Sequence, residues 1–405
     1  MHFKTTIKPG NWINVFFIGL LAYTLLVILF SMTDHWRYND FNHYYASSFM
    51  LSHHINPYTT PLKPVIDLFQ LNYDEGIPYA TNPPLLLYFF LPFSLADPIT
   101  SFNLWFIFQF LAFIASIYLV KALIHDAYFD SIFLPFICLV SASFPVFLHF
   151  ISSQVQFFIS STILLAFLLF TRKKYALTLL LLSVVGTLKL YPFYVMPWFF
   201  IRMQCSLFHK LLYAAGTALW ITCLCAATGF DLWLDFFNHA LPIVRDYILL
   251  RGWNYSIPSF IANSGALFYP NSTLGNNANT LLNIANAVGL LTLAGTYIFI
   301  LTRELKQEAE FSLLLIMSLI STPSCWAHYI VLLFLPIAVI LKNKKYIKTP
   351  LDKVIISLAF FFLLVDVTRF ATVLKGFPFL LVLYCPLYSL IVLAFYLAKD
   401  RRAKA

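Results

Sequence analysis

The sequence predicts an all-α polytopic membrane protein, on the evidence of its composition, its low charge and the pattern of its apolar residues. Hydrophobic residues make up 60% of the 405 residues, charged residues only 11%, and the mean hydropathy is +0.80. A soluble globular domain carries roughly 25% charged residues, so most of this chain's surface cannot face water. The apolar residues form continuous blocks and do not alternate, which indicates membrane-spanning helices. These features exclude a soluble enzyme, a disordered chain and a free nucleic-acid-binding domain.

The apolar blocks predict a bundle of about 10–12 transmembrane helices within one integral membrane domain, 1–405. Several blocks are shorter than the roughly 20 residues that an upright span needs, which indicates tilted or re-entrant segments. In chain order, the blocks lie near 12–31, 83–96, 100–121, 131–149, 155–170, 175–201, 209–227, 281–302, 311–322, 328–341, 354–366 and 379–397.

The charged residues between these blocks fall into two groups, and the two groups predict the topology. One group holds 19 Lys and Arg against 7 Asp and Glu, and the other holds 6 against 10. Since basic loops stay in the cytoplasm, we place the first group and both termini inside, in a cell inner (plasma) membrane. The net charge of +9 therefore indicates membrane orientation and no nucleic-acid partner. The basic group comprises Lys4, Lys8, 121–130, 172–174, 202–210, 303–310, 342–353 and the tail from Lys399, and the other comprises 32–82, Asp97, 229–280 and 366–378.

This topology makes two of the apolar blocks re-entrant. Because 172–174 and 202–210 are both placed inside, block 175–201 must enter the membrane and return, and Pro192 suits the turn. Block 83–96 must likewise be a short, broken element.

The first outward loop, 32–82, contains the first candidate site residues. Its segment 38–51 has apolar residues at helical spacing, which predicts an interfacial amphipathic helix on the outer membrane surface. The Asn-Pro-Tyr sequence at 56–58 is expected to end it. Asp40 is either a carboxylate favoured at a helix start or a general base that partial desolvation tunes. His43, one turn later, either shares that site or lies at the interface.

Lys189 is the one charged residue inside an apolar block. A cation there is costly unless it faces a cavity or a partner. Lys189 either extends its ammonium group to the interface from a helix end or pairs with an anionic group of a substrate. The predicted topology places it near the outward half, where Asp40 lies.

Two further outward turns carry polar candidates. Gln154, in the polar turn 152–156, is either part of a plain connector or an amide that lines a sugar or phosphate pocket. His328, in 321–329, either belongs to an interfacial aromatic belt or binds a phosphate or hydroxyl group.

The second outward loop, 229–280, adds a third set of candidates. Trp253 and Asn254 suit stacking and hydrogen bonding to carbohydrate, although a solvated loop is equally compatible. Arg251 is a candidate phosphate contact. The predicted topology brings all these outward features to one face of the membrane, which favours a single site for an amphiphilic donor with a phosphate and a sugar.

Several motifs follow one another along 38–342. They are Asp40 followed by an aromatic residue and Tyr44-Tyr45, Asn56-Pro57-Tyr58, Asn82-Pro83-Pro84, the turn with Gln154, Gly186-x-x-Lys189-x-Tyr191-Pro192, and Trp326-x-His328-Tyr329. In this order the motifs resemble those of glycosyltransferase family 87. In that family the polar turn usually reads Gly-Gln-x-Asn, whereas this chain has Ser153 and Gln156 in place of the Gly and the Asn.

The resemblance implies a GT-C-type fold and a polyprenyl-phosphate-sugar-dependent hexosyltransferase. The expected reaction moves a hexose, with mannose expected, from a polyprenyl-phosphate sugar to a hydroxyl group of a glycolipid or glycan on the outer face, with inversion. The implied partners are these two substrates and membrane lipid. The residues themselves require no metal or other cofactor, and a metal bound by Asp40 and His43 stays open as an alternative. A related enzyme with another lipid-linked sugar stays open.

The resemblance also assigns roles to the candidate residues. Asp40 would be the catalytic base that deprotonates the attacking hydroxyl group. The donor phosphate would be bound by Lys189, His328 and Arg251. The sugar or acceptor would be bound by Gln154, His43, Trp253 and Asn254.

The main alternative is a multi-pass transporter or flippase of lipid-linked glycans. Such a protein typically has charged residues at the membrane midplane in several helices, and pseudo-repeated halves. This chain shows Lys189 alone inside an apolar block and no repeat. A non-enzymatic scaffold would leave the carboxylates of the first loop without a role.

Overall fold

The protein is an all-α membrane protein. The predicted first span, 12–31, lies outside the described residues apart from three single positions, 19, 22 and 26. In the described part of the chain, the one β-type pairing is an isolated bridge between Asn254 and Trp326. The computed structural model describes residues 40–71, 77–243, 254–268, 271–343, 346, 348–371, 374 and 376–400, with those three positions.

The helices follow one another with short connections. The first part of the chain contains α1 Asp40–Ser52, α2 Lys63–Leu68, α3 Pro84–Phe90, α4 Pro98–Leu123, α5 Ala127–Ser141, α6 Phe144–Ser152, α7 Gln156–Thr171, α8 Tyr175–Leu188, α9 Met196–Arg202 and α10 Leu207–Ala227. The second part contains α11 Phe230–Asp235, α12 Ile257–Phe268, α13 Asn271–Thr302, α14 Gln307–Ser321, α15 Phe334–Lys342, α16 Pro350–Leu364, α17 Thr368–Ala371, α18 Gly376–Leu383 and α19 Cys385–Leu397.

Three of the described helices are long and apolar enough to cross a membrane alone: α4, α10 and residues Asn279–Thr302 of α13. Helices α5 and α6 add a fourth span if they are taken together, although the chain bends by 52° between them. Four shorter apolar helices of 10–17 residues include α7 and α8. The total of 10–12 crossings therefore stays a prediction.

Block 175–201 folds back on itself, as a re-entrant block must, while its entry into the membrane stays a prediction. Helix α8 is followed by a short 3₁₀ turn, Tyr191–Tyr194, and then by α9. The backbone N–H of Gln204 donates to the hydroxyl of Tyr175 at 3.3 Å, so the two ends of the block lie side by side. Block 83–96 is also a short, broken element, because α3 spans only Pro84–Phe90.

Helix α1 begins at Asp40 within the described residues, but it is not amphipathic. Its polar residues Asn42, Ser47 and Ser48 are buried, and the Ser48 hydroxyl donates to the carbonyl oxygen of Leu87 at 2.8 Å. The prediction of a helix with one face in water is therefore wrong, because protein covers the polar face. The helix ends at Ser52, ahead of the predicted end at 56–58.

Segments that the charge pattern placed together on the inner side contact one another. The buried carboxylate of Glu310 accepts from Arg202 Nε at 2.6 Å. Near the C-terminus, Lys306 Nζ lies 3.4 Å from Asp400, and the amide of Asn343 donates to the same carboxylate at 3.1 Å. These contacts join the predicted inner segments at one end of the molecule.

Segments placed on the outer side also contact one another. The side chain of Asn56, in the first predicted outward loop, donates to Asp235, in the second, at 2.6 Å. The Tyr45 hydroxyl donates to the carbonyl oxygen of Ala96, the residue that precedes the outward-placed Asp97, at 2.8 Å. The charge pattern therefore groups the segments as the fold does, while the side that faces the cytoplasm stays a prediction.

The best-covered part of the core runs through α14, the 3₁₀ segment Ala327–Leu333 and α15, in which almost every side chain is buried. This central segment packs against α7, where the rings of Phe167 and Phe311 stack with centroids 4.2 Å apart. The buried segments on both sides therefore fix the position of the turn 322–326 between them.

Candidate active site

One cavity of about 870 Å³ lies among the segments that carry the motifs. Its walls come from the start of α1, the residues before α3, the turn between α6 and α7, the end of α8, and the turn that follows α14. Five of the predicted site residues line it, although almost 290 positions of sequence separate the first from the last. They are Asp40, His43, Gln154, Lys189 and His328.

Asp40 is connected through Gln154 to Tyr44 by two successive hydrogen bonds. The Gln154 side-chain N–H group donates to Asp40 Oδ2, and its oxygen accepts from the Tyr44 hydroxyl at 2.7 Å. Burial, together with the nearby Asp40 carboxylate, raises the pKa of Tyr44 well above its ordinary value. Tyr44 therefore keeps its proton and acts as the donor in this chain of bonds.

The turn that presents Gln154 has a left-handed residue. Ser153 lies at φ 52° and ψ 45°, a conformation that glycine adopts at no steric cost. The indole N–H of Trp105 donates to the Ser153 carbonyl oxygen at 3.0 Å, and His149 Nε2 accepts from the Phe157 backbone N–H at 3.2 Å. Buried donors and acceptors thus fix the turn, and the geometry at 153 explains a preference for glycine there.

Lys189 lies at the C-terminal end of α8. Its Nζ donates to Asn82 Oδ1 at 2.5 Å and lies 5.9 Å from the centroid of the Tyr44 ring. Gly186 allows the chain to fold back here, because a Cβ atom at 186 would lie 2.5 Å from the Phe193 ring. The glycine of this motif therefore sets the position of the lysine.

Asn82 is held by the Asn-Pro-Tyr motif. The Tyr58 hydroxyl donates to the carbonyl oxygen of Asn82 at 2.5 Å. The Tyr58 backbone N–H donates in turn to Asn56 Oδ1 at 2.9 Å. Asn56 also donates to Asp235, in the second outward-placed loop. The motif therefore connects both outward-placed loops to Asn82, which accepts from Lys189.

His328 is only 7% exposed and is the second residue of the 3₁₀ segment Ala327–Leu333. Its ring contacts Tyr329 with centroids 4.9 Å apart, and Tyr329 lies 5.2 Å from Tyr191. The late histidine is therefore part of an aromatic cluster on the wall that also contains Lys189.

Asn254 does not line the cavity. Its side-chain N–H donates to the Pro323 carbonyl oxygen at 2.6 Å, and its side-chain oxygen accepts from the Cys325 backbone N–H at 2.8 Å. Its contacts hold the loop 323–325, in which Pro323 and Ser324 line the cavity. Arg251 and Trp253 lie outside the described residues.

Part of the cavity lining is apolar. It includes Phe236, Phe237, Leu241 and Ile243. The first two belong to a π-helical turn, Phe236–Ala240, a rare conformation that often occurs at functional sites. A ligand that fills this cavity therefore meets charged and amide groups as well as aromatic and aliphatic side chains.

Sequence reasoning missed several polar residues that line the cavity, among them Tyr44, Asn82, Tyr191 and Asn286. The first three occur within the motifs, which was a signal for their role. Asn286 lies in the long helix α13, and its sequence neighbourhood gives no such signal. In the part of the chain that the structure describes, no three His, Cys, Asp or Glu side chains are arranged to hold a metal ion.

Comparison with known proteins identifies the family. No curated protein matches the chain. The model of glycosyltransferase family 87 matches residues 80–336, which is more than half of the sequence. The match contains Gln154, Lys189 and His328, whereas Asp40 precedes it. The chain therefore belongs to glycosyltransferase family 87 and is a membrane glycosyltransferase.

Proposed function

We propose that this enzyme transfers a hexose, mannose in the first instance, from a polyprenyl-phosphate sugar to a hydroxyl group of a glycolipid or glycan. The transfer takes place on the outer face of the membrane and inverts the anomeric carbon. The observation that carries the proposal is the cavity, which combines the Asp40 carboxylate, the Lys189 ammonium group and an apolar wall. A lipid-linked sugar phosphate has the complementary chemistry.

Asp40 acts as the general base. It accepts the proton of the acceptor hydroxyl group as that oxygen forms a bond to the anomeric carbon. The bond from the anomeric carbon to the phosphate oxygen breaks, and the polyprenyl phosphate leaves with the electron pair. Attack from the side opposite the phosphate inverts the anomeric configuration. General base catalysis contributes typically 10²–10⁴-fold to a rate.

Lys189 binds the phosphate of the donor and stabilises the charge that develops as it leaves. A fixed cation is effective here because it needs no reorganisation during the reaction. His328 lies on the same wall and is the proposed second contact, and Arg251 is a third. The Lys189–Asn82 hydrogen bond at 2.5 Å supports this role, since it orients the ammonium group.

The remaining residues bind the sugar, the acceptor and the lipid. The apolar wall at 236–243 suits the first isoprene units of the donor. His43, which lines the cavity beside Asp40, and Trp253 are proposed contacts of the sugar or acceptor. Asn254 acts on the site through the loop 323–325 that it holds.

The donor class is tested by transfer from a defined lipid substrate. The purified protein in nanodiscs is given polyprenyl-phosphate [³H]mannose and a glycolipid extract from the host membrane, without a nucleotide sugar. We expect labelled glycolipid with the anomeric configuration opposite to that of the donor. Efficient transfer from GDP-mannose without any lipid donor would contradict the donor assignment. Movement of the lipid across the bilayer without glycosidic product would favour a flippase.

A further inference from the structure

We propose that Gln154 is a positioning residue for the Asp40 carboxylate and does not act chiefly as a sugar contact. This inference rests on the proposed role of Asp40 as the base. The Gln154 side chain is 6% exposed, and both ends of its amide have protein partners. Its N–H group donates to Asp40 Oδ2, and its oxygen accepts from the Tyr44 hydroxyl.

Tyr44 determines which end of the amide faces Asp40. The Tyr44 hydroxyl donates to the amide oxygen of Gln154 at 2.7 Å. If the amide were reversed, its N–H group would face this hydroxyl, and two donors would face each other. The oxygen of Gln154 therefore faces Tyr44, and its N–H group faces the carboxylate. Tyr44 lies one helical turn after Asp40 on α1, so the same helix holds both ends of the bridge.

The backbone of Gln154 is fixed as well. The preceding residue, Ser153, is buried, and its carbonyl oxygen accepts from Trp105 Nε1 at 3.0 Å. The Gln154 backbone N–H donates to the carbonyl oxygen of His149 at 3.4 Å. The amide thus approaches Asp40 from a rigid turn on a different element of the fold.

A bond to one carboxylate oxygen fixes the rotation of the carboxylate group. General base catalysis requires the accepting oxygen to lie within hydrogen-bond reach of the proton that it takes. A displacement of about 1 Å at a reacting group can lower a rate about 100-fold. Loss of Gln154 should therefore lower kcat and leave the KM values for donor and acceptor largely unchanged.

The test is a set of double-mutant cycles in nanodiscs with polyprenyl-phosphate [³H]mannose and the glycolipid extract. We expect Gln154→Ala to lower kcat roughly 10–100-fold, the scale of a lost hydrogen bond to a charged group, with KM within about twofold. In an Asp40→Asn background, Gln154→Ala should cause no further loss. Gln204→Ala, which changes a glutamine outside the cavity, should retain the normal kcat.

Tyr44→Phe provides an independent variant that leaves Gln154 in place. It should lower kcat by less than Gln154→Ala, and it should have no effect once either Gln154 or Asp40 has been replaced. If Gln154→Ala does not fold, the cycle of Tyr44→Phe with Asp40→Asn decides the question alone.

The outcomes separate this inference from the proposed function. A rise in KM with kcat retained, or a full extra loss in the Asp40→Asn background, would make Gln154 a substrate contact and overturn the positioning role alone. Near-normal turnover of Asp40→Asn by itself would overturn both the base assignment and the positioning role.

Discussion

The Nζ atom of Lys189 lies 2.5 Å from Oδ1 of Asn82, a neutral partner. The bond orients the ammonium group without cancelling its charge. Within the described ranges Lys189 forms no ion pair with a carboxylate at contact distance, and the Asp40 carboxylate of the same cavity acts on it only from farther away. A half-buried cation is costly unless an opposite charge compensates it. The arrangement is therefore suited to an anionic ligand.

Lys189→Met keeps the length of the side chain and removes its charge. We expect the Kd for polyprenyl phosphate to rise about 10–100-fold, since a charge-assisted contact is lost, and kcat to fall as well. Binding is measured in nanodiscs by titration with the unlabelled lipid phosphate. Lys63→Met, at a lysine that is 60% exposed, is the matched control and should bind normally. If the Lys189 variant bound polyprenyl phosphate with unchanged affinity, phosphate binding would have to be assigned to His328 or Arg251.

Gly186→Ala should destabilise the turn that carries Lys189. The added Cβ atom would lie 2.5 Å from the Phe193 ring, and overpacking of this kind costs typically 1–3 kcal/mol. We expect a lower midpoint of thermal unfolding and weaker binding of the lipid phosphate. Gly216→Ala, in helix α10 with no atom within 4 Å of the new Cβ, should be neutral or slightly stabilising. Equal behaviour of the two variants would show that Gly186 is not needed for close packing.

Substitutions at Ser153 test whether the turn that presents Gln154 requires a left-handed residue. Ser153→Gly removes the strain of a side chain at positive φ, about 1–2 kcal/mol, and loses the hydroxyl bond to the Phe150 carbonyl oxygen. These effects nearly cancel, so we expect near-normal stability and turnover. Ser153→Val adds a branched side chain to the same conformation and should lower both the unfolding midpoint and kcat. If Ser153→Val retained the stability and turnover of Ser153→Gly, the turn would have no such requirement.

The fold was predictable where the sequence contains strong, local physical signals. The predicted inner position of 172–174 and 202–210 required the chain of block 175–201 to fold back, and the contact of Gln204 with Tyr175 confirms that fold-back. The polar face of α1 was misjudged, because Ser48 satisfies its hydroxyl group with the Leu87 carbonyl oxygen inside the protein. A sequence pattern alone does not distinguish a polar residue in water from one that is paired internally.

The charged residues of the site were predictable from the sequence, whereas some of its polar residues were not. Asp40 and Lys189 stand out in the sequence because a charged side chain beside the membrane is costly unless it has a partner or a function. Both residues line the cavity. Asn286 is an ordinary polar residue in a long helix, and only the packing of α13 brings it to the cavity. Asn254 was placed in the correct neighbourhood, but its amide is used to hold the backbone at Pro323.

The topology predicts which segments are accessible from outside the cell. Single cysteines introduced at 60–70 and at 232–243, in a background without native cysteines, should react with a membrane-impermeant maleimide in intact cells. A cysteine at 348–353 should react only after the membrane is permeabilised. Labelling of 348–353 in intact cells would reverse the assignment of the two sides and place the cavity on the cytoplasmic face.

The central claim is that Asp40 removes the proton from the acceptor, and turnover of Asp40→Asn tests it most directly. Asparagine keeps the shape of the side chain but accepts no proton, so kcat should fall roughly 10²–10⁴-fold while the Kd for polyprenyl phosphate stays within about threefold. Asp97→Asn is the matched control, because Asp97 also starts a helix as its N-cap and asparagine caps equally well; its turnover should be normal. An Asp40→Asn enzyme that transfers mannose from polyprenyl-phosphate mannose at a near-normal rate would contradict the account.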